Sequence, residues 1–307
     1  MKFAVDLVTF YHPGFWGVES YEAVAAIAAA DPRAFWTKLL DSVADAGVTG
    51  IELTFPPFDW RSAVAAFGSV DGVAAALSAR GLVVASGFVV DLDRAPDLAG
   101  SAAQAHIVAE TEAYARFVKA CGGDVLVIGL PCRQTFNEQP PRFVDLASMG
   151  PLADLLNRMG AATARIGVRC ALHTEAHSVF CAPRDVDLLM LLTDPRYVFF
   201  CPDPAHIILE GGDPLVVARR HTERIVIAHW KDATGPMPRE VVIDHGIYDR
   251  HKPYFCPMGD GRVDWPAWAT LMGAVTDAWS VLELDAAADP VAAIRDGRAF
   301  AQSMISA

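Results

Sequence analysis

Glu175, Asp203, His229 and Glu283 each stand within a few positions of the carboxyl end of a separate apolar, β-like run in the second half of this 307-residue chain. The preceding runs read Val168 to Leu172, Tyr197 to Cys201, Ile225 to Ala228 and Ser280 to Leu282. In an eight-stranded βα barrel the carboxyl ends of all strands open on one mouth, so side chains placed there converge. Three carboxylates and one imidazole suit a hard or borderline divalent ion, Mn2+ first, with Mg2+ or Co2+ as alternatives. Such a donor set leaves coordination positions for substrate oxygens, which favours a catalytic ion over a structural one.

Other groups with chemistry cluster around these four. The run His173-Thr174-Glu175-Ala176-His177 carries an ionisable group at every second position, one face of an extended chain. Glu175 is the ligand candidate there, and His173 and His177 are candidates for proton transfer, substrate contact or the ligand role itself. Asp203 and His206 stand three apart, with an Asp N-cap at a βα turn as the plain alternative. Lys231 and Asp232 follow His229 and are candidates to polarise oxygens or to orient the imidazole. A carboxylate inside the apolar run Val281 to Leu284 is costly unless paired or bound to a cation, which makes Glu283 the most diagnostic of the set. Glu52, in the run Gly50 to Leu53, is a similar buried-strand carboxylate, with Arg61 as an alternative partner.

The elements that would carry these residues alternate along the whole chain. Strand-like runs at Phe3 to Leu7, Gly50 to Leu53, Val83 to Val90 and Val125 to Ile128 join the four above to make eight. Helical patterns lie between them at Pro32 to Ala46, Ser62 to Arg80, Ser101 to Cys121, Pro151 to Ile166, Pro183 to Leu192, Asp213 to Glu223, Trp265 to Asp277 and Pro290 to Met304. A shorter one, Glu19 to Ala30, precedes the first. Pro32, Pro151, Pro183 and Pro290 are placed for first helical turns. The count predicts one (β/α)8 TIM-barrel domain over residues 1–307. Long connections follow strands, the longest at Ala233 to Asp264, and a loop of that length in a compact domain is a lid, a binding loop or a partner contact.

Composition narrows the class further. A net charge of −12 with 25 scattered Lys and Arg excludes a nucleic-acid surface, and no 18-residue uncharged apolar run is present to cross a membrane. The start enters a strand pattern directly, without a secretory apolar region, so a cytoplasmic protein is expected. Six cysteines lie far apart with no CxxC pair, consistent with reduced, buried thiols.

Taken in order, Asp203 to His206, Arg224 to Asp232, Gly259-Asp260-Gly261-Arg262-Val263-Asp264 and Glu283-Leu284-Asp285 resemble the xylose-isomerase-like barrels that include sugar epimerases and inosose dehydratases. The resemblance is dense from about residue 167 onward. It implies Glu175, Asp203, His229 and Glu283 as metal ligands and His206 as a substrate-contacting histidine. Where the epimerases end the fifth strand on Glu, this chain has His173-Thr174-Glu175, so either can be the ligand. The opening segment Val5 to Gly17 is similar to that of the large, metal-bearing subunit of bacterial C-glycoside deglycosidases, which cleave 3-keto C-glycosides and associate with a smaller β-sandwich subunit. That likeness implies a metal-dependent lyase working by α-proton abstraction and elimination on a keto-glycoside. The wider family implies a sugar isomerase, epimerase or inosose dehydratase as the alternative. Phe10, Tyr11, Phe15, Trp16, Phe55, Phe58 and Trp60 would lie at the active face, where aromatic rings stack on sugars or aglycones. His12, Trp16, Glu52 and Asp232 are the candidate substrate contacts, and His173, His206, His177 and Lys231 the candidate catalytic groups.

Overall fold

A computed structural model describes residues 2–90, 92, 100–133, 139–141, 143–244, 246–275 and 279–305. Strands β1 (Lys2–Asp6), β2 (Gly50–Leu53), β3 (Val83–Val89), β4 (Val125–Ile128), β5 (Arg169–His173), β6 (Val198–Cys201) and β7 (Ile227–Trp230) run parallel with a last one, β10 (Trp279–Leu282). Between β7 and β10 the chain makes a small antiparallel pair, β8 (Asp232–Ala233) and β9 (Phe255–Cys256). The eight parallel strands lie in the order β6-β5-β4-β3-β2-β1-β10-β7. Val226 N donates to Phe200 O at 3.2 Å and His229 N to Pro202 O at 3.1 Å, which joins the two ends of the sheet. The expected barrel is therefore present, with strand boundaries within two residues of those read from the sequence.

The barrel interior explains how the site is delivered. Ala4, Ala171, Cys201, Ile227 and Val281 form a cluster of mostly small buried side chains inside the ring. Successive residues of a strand point to opposite faces, so the residue two further on faces inward again, one layer nearer the mouth. Two positions on stand Asp6, His173, Asp203, His229 and Glu283. The bulky apolar residues at the alternate positions, such as Val5, Leu172, Phe200 and Leu282, pack outward against the helices.

Several helices depart from expectation for local reasons. The segment Ser62 to Arg80 is two helices, Trp60–Phe67 and Val70–Ser78, because Gly68 adopts φ +81° and Ser69 caps the second. Pro151 lies inside the helix Leu146–Ala164, which starts earlier than expected at an Asp145–Ser148 capping box. The helix at Trp265 runs to Gly273, and its expected end at Asp277 lies outside the described residues. No helix among the described residues is long and apolar enough to cross a membrane.

Candidate functional site

At the carboxyl ends of the strands opens a cavity of about 340 Å³ whose walls include His173, Glu175, His206, His229, Lys231 and Glu283. Tyr11, Phe55 and Phe88 give the same cavity aromatic walls, and Tyr248, His251 and Lys252 from the long loop also line it. His173 Nε2 and His229 Nδ1 lie 3.6 Å and 3.7 Å from Asp203 Oδ2, and these three residues place one ligand atom each within 4.8 Å of one another. Glu283 Oε2, 2.7 Å from His229 Nδ1, belongs with Asp6 to a neighbouring group that shares His229. Glu175 falls in a second group, with His173 and His206, its Oε1 lying 3.1 Å from His206 Nδ1.

Polar atoms in this group are buried without hydrogen-bond partners among the described residues. Both ring nitrogens of His173 and of His229, Asp203 Oδ2 and Glu283 Oε2 are all in that state. Unpaired buried lone pairs each cost on the order of 1–3 kcal/mol. These imidazoles and carboxylates, in two groups that share His229, offer the donors a divalent cation takes, which would turn the same lone pairs into ligands. The other Asp203 oxygen is fully used, since Oδ1 accepts from Ala205 N at 2.8 Å and His206 N at 3.3 Å. Thus the expected N-cap and the expected ligand are two oxygens of one side chain.

Charge around the cavity is arranged in pairs. Lys231 is buried, donates to Glu283 Oε1 at 2.6 Å and stands 2.6 Å from Asp285 Oδ1. Burial opposes its charge, but Asp285 and Glu283 outweigh burial and hold the ammonium well above its ordinary range. Burial raises the Glu175 carboxyl above the usual carboxylate range. Burial, with Lys231 and His173 nearby, drives His206 well below its ordinary value. Burial therefore favours the uncharged form of both neighbours, Glu175 and His206.

The remaining expected site residues have other places. His177 does not line the cavity: its Nδ1 meets His251 Nε2 at 2.9 Å, and its backbone, at φ +62°, is held by Glu210 and by Arg133. Trp16 is core, its indole donating to Phe10 O at 2.8 Å and its ring stacked 3.9 Å from Phe35. His12 caps the short helix Pro13–Trp16 by accepting from Gly14 N. Asp232 points away from the cavity and accepts from the backbone N–H groups of Ala233, Gly259, Gly261 and Val263 and from the Trp265 indole. It anchors the Gly259 to Asp264 turn, so its expected part as a substrate contact is corrected to a structural one. Glu52 lies fully buried in the barrel wall, and Arg61 pairs with Glu110 instead.

Asp6, Asp285 and His251 line the cavity without having been singled out. The alternation that selects His173 also selects Asp6 and Asp285, each two positions beyond an inward residue. No spacing rule points to His251, which reaches the site from the long loop.

Comparison with known proteins agrees with this geometry. The inosose dehydratase of Lacticaseibacillus casei is 30% identical over 191 residues, 57% of this chain and 63% of that protein. The inosose dehydratase of Bacillus velezensis is 27% identical over 181 residues, 55% of this chain and 59% of its own length. The match thus spans about six tenths of these relatives. Among solved structures, a Mycobacterium smegmatis xylose isomerase-like TIM barrel in complex with magnesium superposes with a TM-score of 0.71 at 13% identity over 99% of this chain and 97% of that one. The IOLI protein with a zinc atom gives 0.70 at 13% identity over 100% and 98%. At such identity these show a shared fold. The model of the family described as Xylose isomerase-like TIM barrel matches residues 40–304, and the chain belongs to that family.

Proposed function

We propose that this chain is a divalent-metal-dependent lyase that removes the proton beside the carbonyl of a keto-sugar and expels a group from the next carbon, with a 3-keto C-glycoside as its substrate. The observation that carries this reading is the set of buried, unpartnered ligand atoms at the floor of a cavity that also holds a paired ammonium and a row of aromatic rings. His173, Asp203, His229 and Glu283 would hold the ion, and Mn2+ is the occupant proposed. When bound it would draw electron density from the substrate carbonyl and steady the negative charge left by proton loss. In this reading His173 takes the fifth-strand ligand position, and Glu175 is left for proton transfer.

The chain's own groups supply the other steps. Glu175, with Oε1 3.1 Å from His206 Nδ1, takes the proton from the substrate carbon and returns it to the departing group as the bond to that group breaks; His206 Nδ1 is occupied in accepting from Ala176 N at 3.2 Å. Lys231 Nζ, fixed between Glu283 and Asp285, offers its positive charge to a substrate oxygen. Tyr11, Phe55 and Phe88 bind an apolar or aromatic leaving group beside the sugar. The loop face carrying Tyr248 and His251 keeps water from the intermediate carbanion.

A second reading, inosose dehydratase, draws on the two matched relatives of that name and uses the same proton removal with hydroxide as the leaving group. The test is an assay of the chain, with and without Mn2+, on a 3-keto C-glycoside, on inosose and on free ketohexoses. Ion-dependent release of the aglycone supports the proposal, inosose turnover supports the second reading, and turnover of ketohexoses alone overturns both. The resemblance to the deglycosidases also leads us to include a smaller β-sandwich subunit as partner, so the assay is run on the chain purified with its co-expressed neighbours.

A further inference from the structure

Behind His229 the barrel wall contains two polar groups from two neighbouring strands. Glu52 on β2 is fully buried, and Ser86 on β3 donates its hydroxyl to Glu52 Oε2. The β2–β3 register slips between Ile51 and Glu52, so that Ile51 lies opposite Val84 but Glu52 opposite Ser86. Such a slip re-aims one side chain relative to its neighbours. Glu52 Oε1 then stands 2.9 Å from His229 Nε2, an ion-pair contact that lies off the line of a hydrogen bond. The cavity does not reach Glu52, so a substrate contact is closed to it.

We infer that Glu52, held by Ser86, is a positioning residue for the metal centre, keeping the ring proton of His229 on Nε2 so that Nδ1 is the bare, ligating nitrogen. A carboxylate only accepts hydrogen bonds, and an imidazole nitrogen held against it is favourable when that nitrogen carries the proton. A neutral imidazole has one such proton, which leaves the lone pair on Nδ1. That nitrogen is the one facing Asp203 Oδ2 at 3.7 Å and Glu283 Oε2 at 2.7 Å. A ligating histidine held through its other nitrogen by a carboxylate gains basicity and a fixed ring angle. A fully buried carboxylate with a hydroxyl donor is also a poor choice for stability, because an apolar side chain of similar size would cost less there. The sequence expectation that Lys231 or Asp232 orients His229 passes to Glu52.

This inference rests on the metal reading above, and the experiment separates the two. The metal-free chain, Glu52→Gln and Ser86→Ala are titrated with Mn2+ against a fluorescent chelator, and the melting temperature of each metal-free protein is recorded. Glu52→Gln is expected to bind Mn2+ roughly 10- to 100-fold more weakly, with the metal-free melting temperature unchanged or higher. Ser86→Ala is expected to show a smaller loss in the same direction, and it carries the test if Glu52→Gln folds poorly. Equal Mn2+ affinity in the wild type and both variants overturns the inference alone, as does an affinity loss matched by a fall in metal-free stability. A wild-type chain that takes up no divalent ion removes the metal reading and this inference with it.

Discussion

Asp203 and Asp232 follow neighbouring strands of the barrel and are both fully buried, yet their surroundings are opposite. Around Asp232, four backbone N–H groups and an indole N–H converge on one carboxylate, and the turn that supplies them is packed closely enough that a Cβ on Gly261 would lie 2.1 Å from Asp232 Oδ1. Around Asp203, one oxygen caps a helix and the other, among the described residues, meets ring nitrogens at 3.6–3.9 Å without a hydrogen bond. Satisfied buried carboxylates hold structure, whereas an unsatisfied one beside other unsatisfied ligand atoms is where the proposed cation would sit. Burial and position at a strand end do not tell the two apart. Their hydrogen-bond inventories do.

The largest effect expected from this contrast comes from Asp203→Asn, which retains the capping oxygen and removes the charge. It should abolish Mn2+ uptake, measured by elemental analysis, and lower ion-dependent turnover at least ~1000-fold, about 4 kcal/mol of transition-state stabilisation. The metal-free melting temperature should hold or rise. Retained ion binding would break the contrast. Asp232→Ala should act the other way, costing about 3 kcal/mol in urea unfolding because several buried N–H groups lose their acceptor. The proposed ligands would remain in place, so an unaltered unfolding curve would show that the anchor is dispensable. Gly261→Ala sharpens the same side with a milder insult: the new methyl meets Asp232 and Ala233 O, at an expected cost of about 2 kcal/mol. Equal stability to wild type would mean that the turn relaxes without loss.

Glu210 lies between the two extremes and gives the smallest effect. One oxygen accepts from His177 N at 2.6 Å, and burial raises the carboxyl to about 7. Its folded value is above its unfolded value, so its contribution is complete below about pH 4.5 and fades as pH rises through about 7. Glu210→Gln keeps an acceptor for His177 N and removes the titration. The variant should lose less stability than wild type between pH 5 and pH 8, read as the difference in melting temperature across that range. Parallel pH profiles for the two proteins would show that Glu210 does not titrate in this window.

Much of this site was legible because a barrel strand obeys a period of two. Once Ala171, Cys201, Ile227 and Val281 are known to face inward, His173, Asp203, His229 and Glu283 must face inward too, one layer nearer the mouth. Glu175 lies two residues beyond the end of β5 and falls beside His206 rather than with Asp203 and His229. The aromatic residues divide for a related reason. Tyr11 and Phe55 reach the cavity, while Trp16, on its short helix, turns its indole back to Phe10 and its ring to Phe35.

Chain order and apolar alternation were sufficient for eight strands, their sequence and the face on which chemistry sits, because those depend on patterns confined to neighbouring residues. They could not tell a carboxylate that anchors a turn from one left with an unpartnered oxygen, since the donors to Asp232 come from residues 27 to 33 positions away as well as from its neighbour. Nor could they bring His251 to the cavity or Glu52 to His229, contacts between segments distant in sequence. Such pairings follow from the closure of the ring and the path of one long loop, which no local propensity encodes.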